Sequence, residues 1–198
     1  MELLMPNKKQ TYPKSVTLPD GSKVEIRLMT AVDKEAILAF ARKLPEEDML
    51  FLRIDIAKDE GVDAWLANIE SGATTTLTAY DADGLVGYAA VHQNTVPWTR
   101  RVGELRVNVS QDYRSRGLGK NLISEIFSVA RGAGLKKLVA NMMSDQHGAQ
   151  AAFRRLGFVP EAVLADHVED RNGMTRDLII MSYFMDGHSD SIDEPVRI

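Results

Sequence analysis

The chain has 198 residues, 44% hydrophobic and 26% charged, with a net charge of −4. That length suits one well-buried α/β domain and leaves two full domains a tight fit, while the mildly acidic balance argues against nucleic acid as the main partner. No cysteine is present, which removes disulfide frameworks, cysteine–zinc sites and thiol catalysis.

Residues 1–15 read as a loose leader without the long apolar core of a secretory signal. Residues 186–198 read as a flexible acidic tail. Between them a single domain is expected over residues 16–185. No run approaches the roughly 20 apolar residues that cross a bilayer, so no membrane partner is expected and the default setting is the cytoplasm. Val16-Thr17-Leu18, the turn Pro19-Asp20-Gly21 and the alternating Val24, Ile26 and Leu28 predict a hairpin. Thr30 is placed as the N-cap of a helix reaching about Leu44, and Pro45-Glu46-Glu47-Asp48 starts a second helical stretch. A further helix is expected around Val62 to Ile69, ending at Gly72. Thr74 to Tyr80 and Leu85 to His92 form strands about the turn Asp81-Ala82-Asp83-Gly84. Val102 to Val109 alternates, with Leu105, Val107 and Val109 on one face and Glu104, Arg106 and Asn108 on the other.

Leu118, Leu122, Ile123, Ile126, Phe127 and Ala130 share one helical face, and Gly132 and Gly134 end that helix. Leu138 to Met143 reads as a buried strand. Residues 147 to 156 form a helix with Ala149, Ala152, Phe153 and Leu156 on one stripe and Gly157 as its cap. Val163 to Glu169 and Asp177 to Phe184 close the domain as a hairpin around Asn172-Gly173.

The chemistry is concentrated where the strand ending near Ser110 turns into Arg114-Ser115-Arg116-Gly117-Leu118-Gly119-Lys120 and then a helix. A helix N-terminus leaves about four backbone N–H groups unpaired and carries partial positive charge. Gly117 and Gly119 let a large anion reach the backbone, and Arg114, Arg116 and Lys120 add charge. A phosphate site and a plain basic turn are equally compatible with composition alone. Two better-known phosphate loops do not fit. A Walker loop needs Gly at the position of Arg114 and Ser or Thr at Asn121; a Rossmann fingerprint needs Gly or Ala at Leu122.

The pattern that fits is Arg/Gln-x-x-Gly-x-Gly. With the strand Glu104 to Val109, the apolar helix, the strand Leu138 to Met143 and the terminal Arg154-Arg155-Leu156-Gly157-Phe158, residues 102 to 158 resemble the GNAT family of N-acetyltransferases. The element order suits that family over about 16 to 185. The resemblance implies an α/β (α+β) fold, with a mixed, mostly antiparallel sheet, a splayed central strand pair and flanking helices. It implies acetyl-CoA as cosubstrate and no metal; His92, His147, His167 and His188 likewise lack metal-ligand spacing. It further implies that the backbone from Arg114 to Lys120 holds the pyrophosphate of CoA. Val107, Asn108 and Val109 would flank the pantetheine arm and polarise the thioester carbonyl. The helix beginning near Gln146, carrying Phe153, would cover the thiol.

Two positions depart from the family pattern. Phe153 stands where many relatives have a tyrosine proposed to protonate the leaving thiolate, and phenylalanine has no proton to give. Gln146 stands where asparagine is common. Phe153 reads as a core or pantetheine-packing residue, which leaves water as the acid. Glu104 is the expected general base; its competing role is an ion pair with Arg106, two residues along the same face. His147 and Asp145 read as capping or surface groups. Trp98 either lines an acceptor cleft or pins its loop.

The acceptor is expected to be a primary amine. Leu18 to Arg27 and Asp166 to Ser182 are similar to bacterial protein-lysine acetyltransferases, which makes a protein lysine the first candidate; a small amine, amino acid or polyamine stays open. Two other readings are a non-catalytic acyl-CoA sensor, which Phe153 favours, and a nucleotide-phosphate binder. The residues do not fix the oligomeric state, and a homodimer is allowed.

Overall fold

Alternating side chains build the outer hairpin. Lys14–Thr17 (β1) and Lys23–Leu28 (β2) pair antiparallel with Val16 opposite Val24. Val24 and Ile26 are buried, as a period of two requires when one face meets a core. The computed structural model describes residues 11–49, 52, 54–93, 96–169 and 172–186. Residues 1–10 of the expected leader, 187–198 of the expected tail with His188, and Asp170 and Arg171 of the second acceptor-like segment lie outside the described residues. β1 takes in Lys14 and Ser15, and Tyr12 packs on the core while its hydroxyl donates to Glu125 at 3.3 Å.

Thr30 is extended and opens the next element, but through a 3-10 turn, Ala31–Asp33, before the helix Lys34–Ala41 (α1). Asp33 explains the tight entry. Its buried carboxylate accepts the Thr30 N–H at 2.8 Å and the Tyr80 hydroxyl at 2.6 Å, and it pairs with Arg27. Two helices follow, Glu46–Met49 (α2) and Asp59–Glu70 (α3).

Three antiparallel strands come next: Thr74–Tyr80 (β3), Leu85–Gln93 (β4) and Val102–Val109 (β5). The helix Leu118–Gly132 (α4) carries the chain across to Lys137–Met143 (β6), parallel to β5, as a parallel connection needs a crossover. His147–Arg155 (α5) leads into the hairpin Val159–Glu169 (β7) and Thr175–Phe184 (β8). β7 begins four residues before the expected Val163. Gly157, at φ 91°, turns the chain sharply after α5, and Phe158 drops into the core, so the strand starts at once.

The sheet order is β1-β2-β3-β4-β5-β6-β8-β7, and only β5–β6 is parallel. Two apolar layers sandwich it. Leu118, Leu122 and Ile126 of α4 meet Leu77, Ala89, Val91, Leu105 and Leu138 on one face. Ile37, Leu38 and Phe40 of α1 and Val62 and Trp65 of α3 meet Tyr88 and Ala90 on the other. β4 is therefore covered on both faces, which is why Leu85 to Val91 is apolar throughout rather than alternating. Each fully buried Leu or Ile contributes about 1.5–3 kcal/mol by leaving water, so α4 anchors the loop that precedes it.

Candidate active site

β5 has one finished edge and one unfinished edge. Against β4 it stays in register from Gly103 opposite Gln93 to Val109 opposite Gly87. Against β6 it pairs only at Val102, Gly103 and Glu104, opposite Lys137, Leu138 and Val139. Beyond Glu104 the two strands part, as the expected splay requires.

Backbone alternation says which groups face the opening. The Ser110 N–H donates to the Val86 carbonyl at 2.9 Å, so even-numbered residues of β5 point their backbone at β4. The Arg101 carbonyl accepts from Lys137 N–H at 3.2 Å, so odd-numbered residues point at β6. Val107 and Val109 therefore aim N–H and C=O into the gap. On the facing strand, Asn141 and Met143 do the same. Met143 is taken up by α5: its N–H donates to Gln146 Oε1 at 3.1 Å, and its carbonyl accepts from Gln150 Nε2 at 3.2 Å.

The gap is a cleft of about 570 Å³ counted to its open mouth. Leu105, Val107 and Asn108 form one wall, Ala140, Asn141 and Met142 another, and Gln146 at the N-cap of α5 with Ala149 and Phe153 on that helix a third. Phe153 stacks edge-on against Phe158 at 4.9 Å, so its ring is fixed by the core while lining the cleft. Asn141 Oδ1 is buried and has no hydrogen-bond partner. An orphaned buried acceptor costs about 1–3 kcal/mol, so this atom suits a ligand carrying an N–H. Asn108 Nδ2 donates to the Tyr88 hydroxyl at 2.7 Å. Burial pushes that phenol up to about 12, so it keeps its proton at neutral pH.

In the chain beyond β5, Gly117 caps α4 in the left-handed region at φ 89°, with no side-chain hydrogen bond to the first turn. A Cβ there would also come within 3.1 Å of Pro19 Cδ, a tight contact added to the positive φ that favours glycine. Leu118 is buried and offers only its backbone; Ser115 and Lys120 are exposed. The first turn of α4 offers backbone N–H groups without a side-chain cap, the kind of donor an anion can use. The two arginines differ from expectation. Arg114 pairs with Asp48 of α2 and donates to the Val109 carbonyl at 3.3 Å. Arg116 pairs with Asp20 in the β1–β2 turn and lies 4.3 Å over the Tyr113 ring. The Ser22 hydroxyl and N–H, and then Arg116, hold the Asp20 carboxyl down at about 2. The loop is thus tied to two earlier segments, and part of its charge is already balanced by carboxylates.

Glu104 makes the ion pair with Arg106 that competes with a catalytic role. The pair is not a surface one: the two side chains are 11% and 13% exposed. Across β4, His92 faces Glu104 in register, and its Nδ1 shares a 2.8 Å hydrogen bond with Thr74 Oγ1. Asp145 pairs with Arg176 at 3.3 Å and His147 is exposed, both surface groups as expected. Trp98 is 85% exposed and lines neither this cleft nor the neighbouring pocket.

Four residues at the site escaped the sequence reading: Asp48, Arg106 as a cleft wall, Asn141 and Gln150. Asn141 left a usable signal, since it interrupts the otherwise apolar strand Leu138 to Met143. Asp48 left none, because its partner is 66 residues away. Among the described residues no cluster of His, Asp or Glu could hold a metal ion, and no helix is long and apolar enough to cross a membrane.

Residues 38–158, more than half of the chain, match the model of the acetyltransferase (GNAT) family. Three solved structures have the same architecture. An acetyltransferase of this family from Streptococcus pneumoniae is 21% identical over 81% of this chain and 99% of its own, with a TM-score of 0.71. A ribosomal-protein-alanine N-acetyltransferase from Brucella melitensis is 26% identical over 80% and 98%, also at 0.71. A putative acetyltransferase from Salmonella typhimurium, solved with its cofactor acetyl-CoA, is 22% identical over 84% and 96%, again at 0.71. No curated protein matches the sequence.

Proposed function

The chain belongs to the acetyltransferase (GNAT) family, and from that premise we propose that it binds acetyl-CoA in the β5–β6 cleft and transfers the acetyl group to a primary amine. The carrying observation is the unfinished edge of β5, which aims the Val107 N–H into the cleft between β5 and β6. The residues fit the cosubstrate. Asn141 Oδ1 is an acceptor suited to an amide N–H of the pantetheine arm. The bare backbone at Gly117 and Gly119 suits the pyrophosphate. Bound there, acetyl-CoA supplies an activated acyl carbon and a fair leaving group.

The chain's own groups then divide the work. The Val107 N–H polarises the thioester carbonyl and stabilises the oxyanion that develops on it. Glu104 takes the proton of the incoming ammonium. An ordinary lysine-type amine has a pKa near 10.4, so its neutral form at pH 7 costs about 4–5 kcal/mol without such a base. Phe153 supplies no acid, and solvent protonates the departing thiolate. The likeness of Leu18 to Arg27 and Asp166 to Ser182 to protein-lysine acetyltransferases makes a protein lysine one acceptor to test. A second reading, a sensor that binds acetyl-CoA without turnover, is favoured by Phe153 and by the closed Glu104–Arg106 pair.

The test is release of free thiol from acetyl-CoA over a panel of amines and lysine peptides. Glu104→Gln is expected to lower turnover by about a hundredfold while calorimetry shows unchanged acetyl-CoA affinity. A mutant rate equal to wild type across pH 6 to 9 would remove Glu104 from the mechanism. Tight binding with thiol release no faster than hydrolysis would establish the sensor instead.

A further inference from the structure

Arg106 lies in the wall of two cavities at once. One is the β5–β6 cleft, where Val107, Asn108 and Asn141 converge. The other is a pocket of about 610 Å³, counted to its mouth, between α3, the segment before it, and β3 to β5. Leu52 is the second residue the two share. The cavities therefore adjoin at Arg106 and Leu52, so a group held by Arg106 stands at the boundary between them.

The second pocket has a definite chemistry. Ile54, Ile56, Trp65 and Tyr88 form an apolar wall, and the last three are almost fully buried. Its Thr74 and His92 are bonded to each other. Among the described residues lining it, Arg106 carries the only formal charge apart from histidine. Among those described residues a polyamine or a second ammonium would find no carboxylate. An uncharged, apolar body fits it.

The boundary between the two cavities carries the opposite signature, in Arg106 and in the Glu104 that pairs with it from outside their linings. Arg106 and Glu104 are paired and nearly dry. Taking two charges out of water costs several kcal/mol per ion before their attraction is counted. Such a pair is complementary to one small class of molecule, a zwitterion, whose carboxylate can accept a bidentate bond from the guanidinium while its ammonium meets Glu104. Ala90, opposite Arg106 in register, leaves room for the exchange.

Resting on the acetyltransferase reading above, the geometry points to a free α-amino acid with an apolar side chain as the acceptor. Its side chain enters the pocket beside Trp65 and Tyr88, Arg106 holds its carboxylate, and Glu104, released from Arg106, receives its ammonium. Glu104 accepts one proton. The nitrogen then bonds to the acetyl carbon as the carbon–sulfur bond breaks, and the second proton leaves through solvent to the thiolate. The products are an N-acetyl amino acid and free CoA thiol.

The experiment compares leucine with isoamylamine, which lacks only the carboxylate, with leucinamide, in which it is neutral, and with a lysine peptide. Thiol release is followed at pH 8, and calorimetry with acetyl-CoA is run alongside. The expected kcat/KM for leucine exceeds those for isoamylamine and leucinamide by about a hundredfold, because a site built for a charged group discriminates strongly against its absence. Arg106→Gln is expected to bring that ratio close to one and raise KM for leucine, and Arg106→Lys to restore part of it. Melting curves of both variants check that they fold, and the wild-type ratio decides the matter even if they do not. Equal rates for leucine and isoamylamine overturn the assignment. So does turnover of the lysine peptide alone, in which case the acetyltransferase reading survives. Acetyl-CoA binding without release from any acceptor overturns the assignment and favours the sensor; no binding at all removes both readings.

Discussion

Two of the places where polar groups enter the interior of this fold are treated differently. Around Asp33 everything is matched: Arg27, the Tyr80 hydroxyl and the Thr30 N–H all donate to one buried carboxylate. At the β5–β6 gap, the Val107 N–H and Asn141 Oδ1 face the cleft, while Met143 is satisfied by Gln146 and Gln150 and the Val109 carbonyl by Arg114. The first arrangement fixes the join between β2, β3 and α1. The second gives up pairing that a continuous sheet would have had, at about 1–3 kcal/mol for each buried group left without a partner. A closed polar cluster stabilises a fold, whereas an open one on an otherwise ordered strand marks where a ligand completes it.

Proline separates the two edges of β5 most sharply. At Val107 it removes an N–H that points into the gap, so the ladder to β4 keeps its bonds. Val107→Pro is expected to lower kcat by about 10²–10³, the usual cost of losing one oxyanion donor, in a protein that still folds. Ala90→Pro is the converse, since the Ala90 N–H points into the paired ladder opposite Arg106. That substitution is expected to destabilise the fold by at least about 1–3 kcal/mol, seen as a lower urea midpoint. If both variants fail alike in folding, the distinction between the edges is wrong.

Asn141→Leu probes the same contrast at a smaller scale. Replacing an unsatisfied buried amide by an apolar group of similar shape is neutral or favourable for the fold. The variant is expected to melt up to about 2–4 °C higher, corresponding to roughly 1 kcal/mol at this chain length. Acetyl-CoA affinity, read by calorimetry, is expected to weaken by about tenfold, the loss of one hydrogen bond. A variant that melts lower and binds equally well would mean that Asn141 Oδ1 serves the fold rather than the ligand.

Much of this was legible in residues 102 to 158, where local rules act. Alternation placed β5, and helical spacing placed α4 with the glycine that caps it. What escaped was everything joined over distance. Arg114 and Arg116 read as free positive charge, yet Asp48 and Asp20, 66 and 96 residues earlier, meet them in the folded chain. Arg106 read only as a neighbour of Glu104, because no periodicity says that one side chain will wall two cavities. Asp33 drew no notice, since an acidic residue near a helix start is unremarkable until Tyr80 and Arg27 converge on it.

The smallest expected effect concerns acid. Burial alone would raise the Asp33 carboxyl, but bonds from the Tyr80 hydroxyl, the Thr30 N–H and Arg27 outweigh it and hold the group below the ordinary carboxylate range. A carboxyl depressed in the folded state stabilises that state fully above its unfolded value, near 3.9, and loses the contribution as pH falls through the folded value. The urea midpoint of wild type relative to Asp33→Asn is therefore expected to stay level from pH 7 to about 5 and to shrink below about 4. The cleft supplies the control. Its open groups are an amide and a backbone N–H, neither of which titrates, so the difference between wild type and Asn141→Leu should stay flat over the same range. A gap that narrows equally for both variants would show that acid acts on the sheet as a whole and that the Asp33 cluster has no separate hold on it.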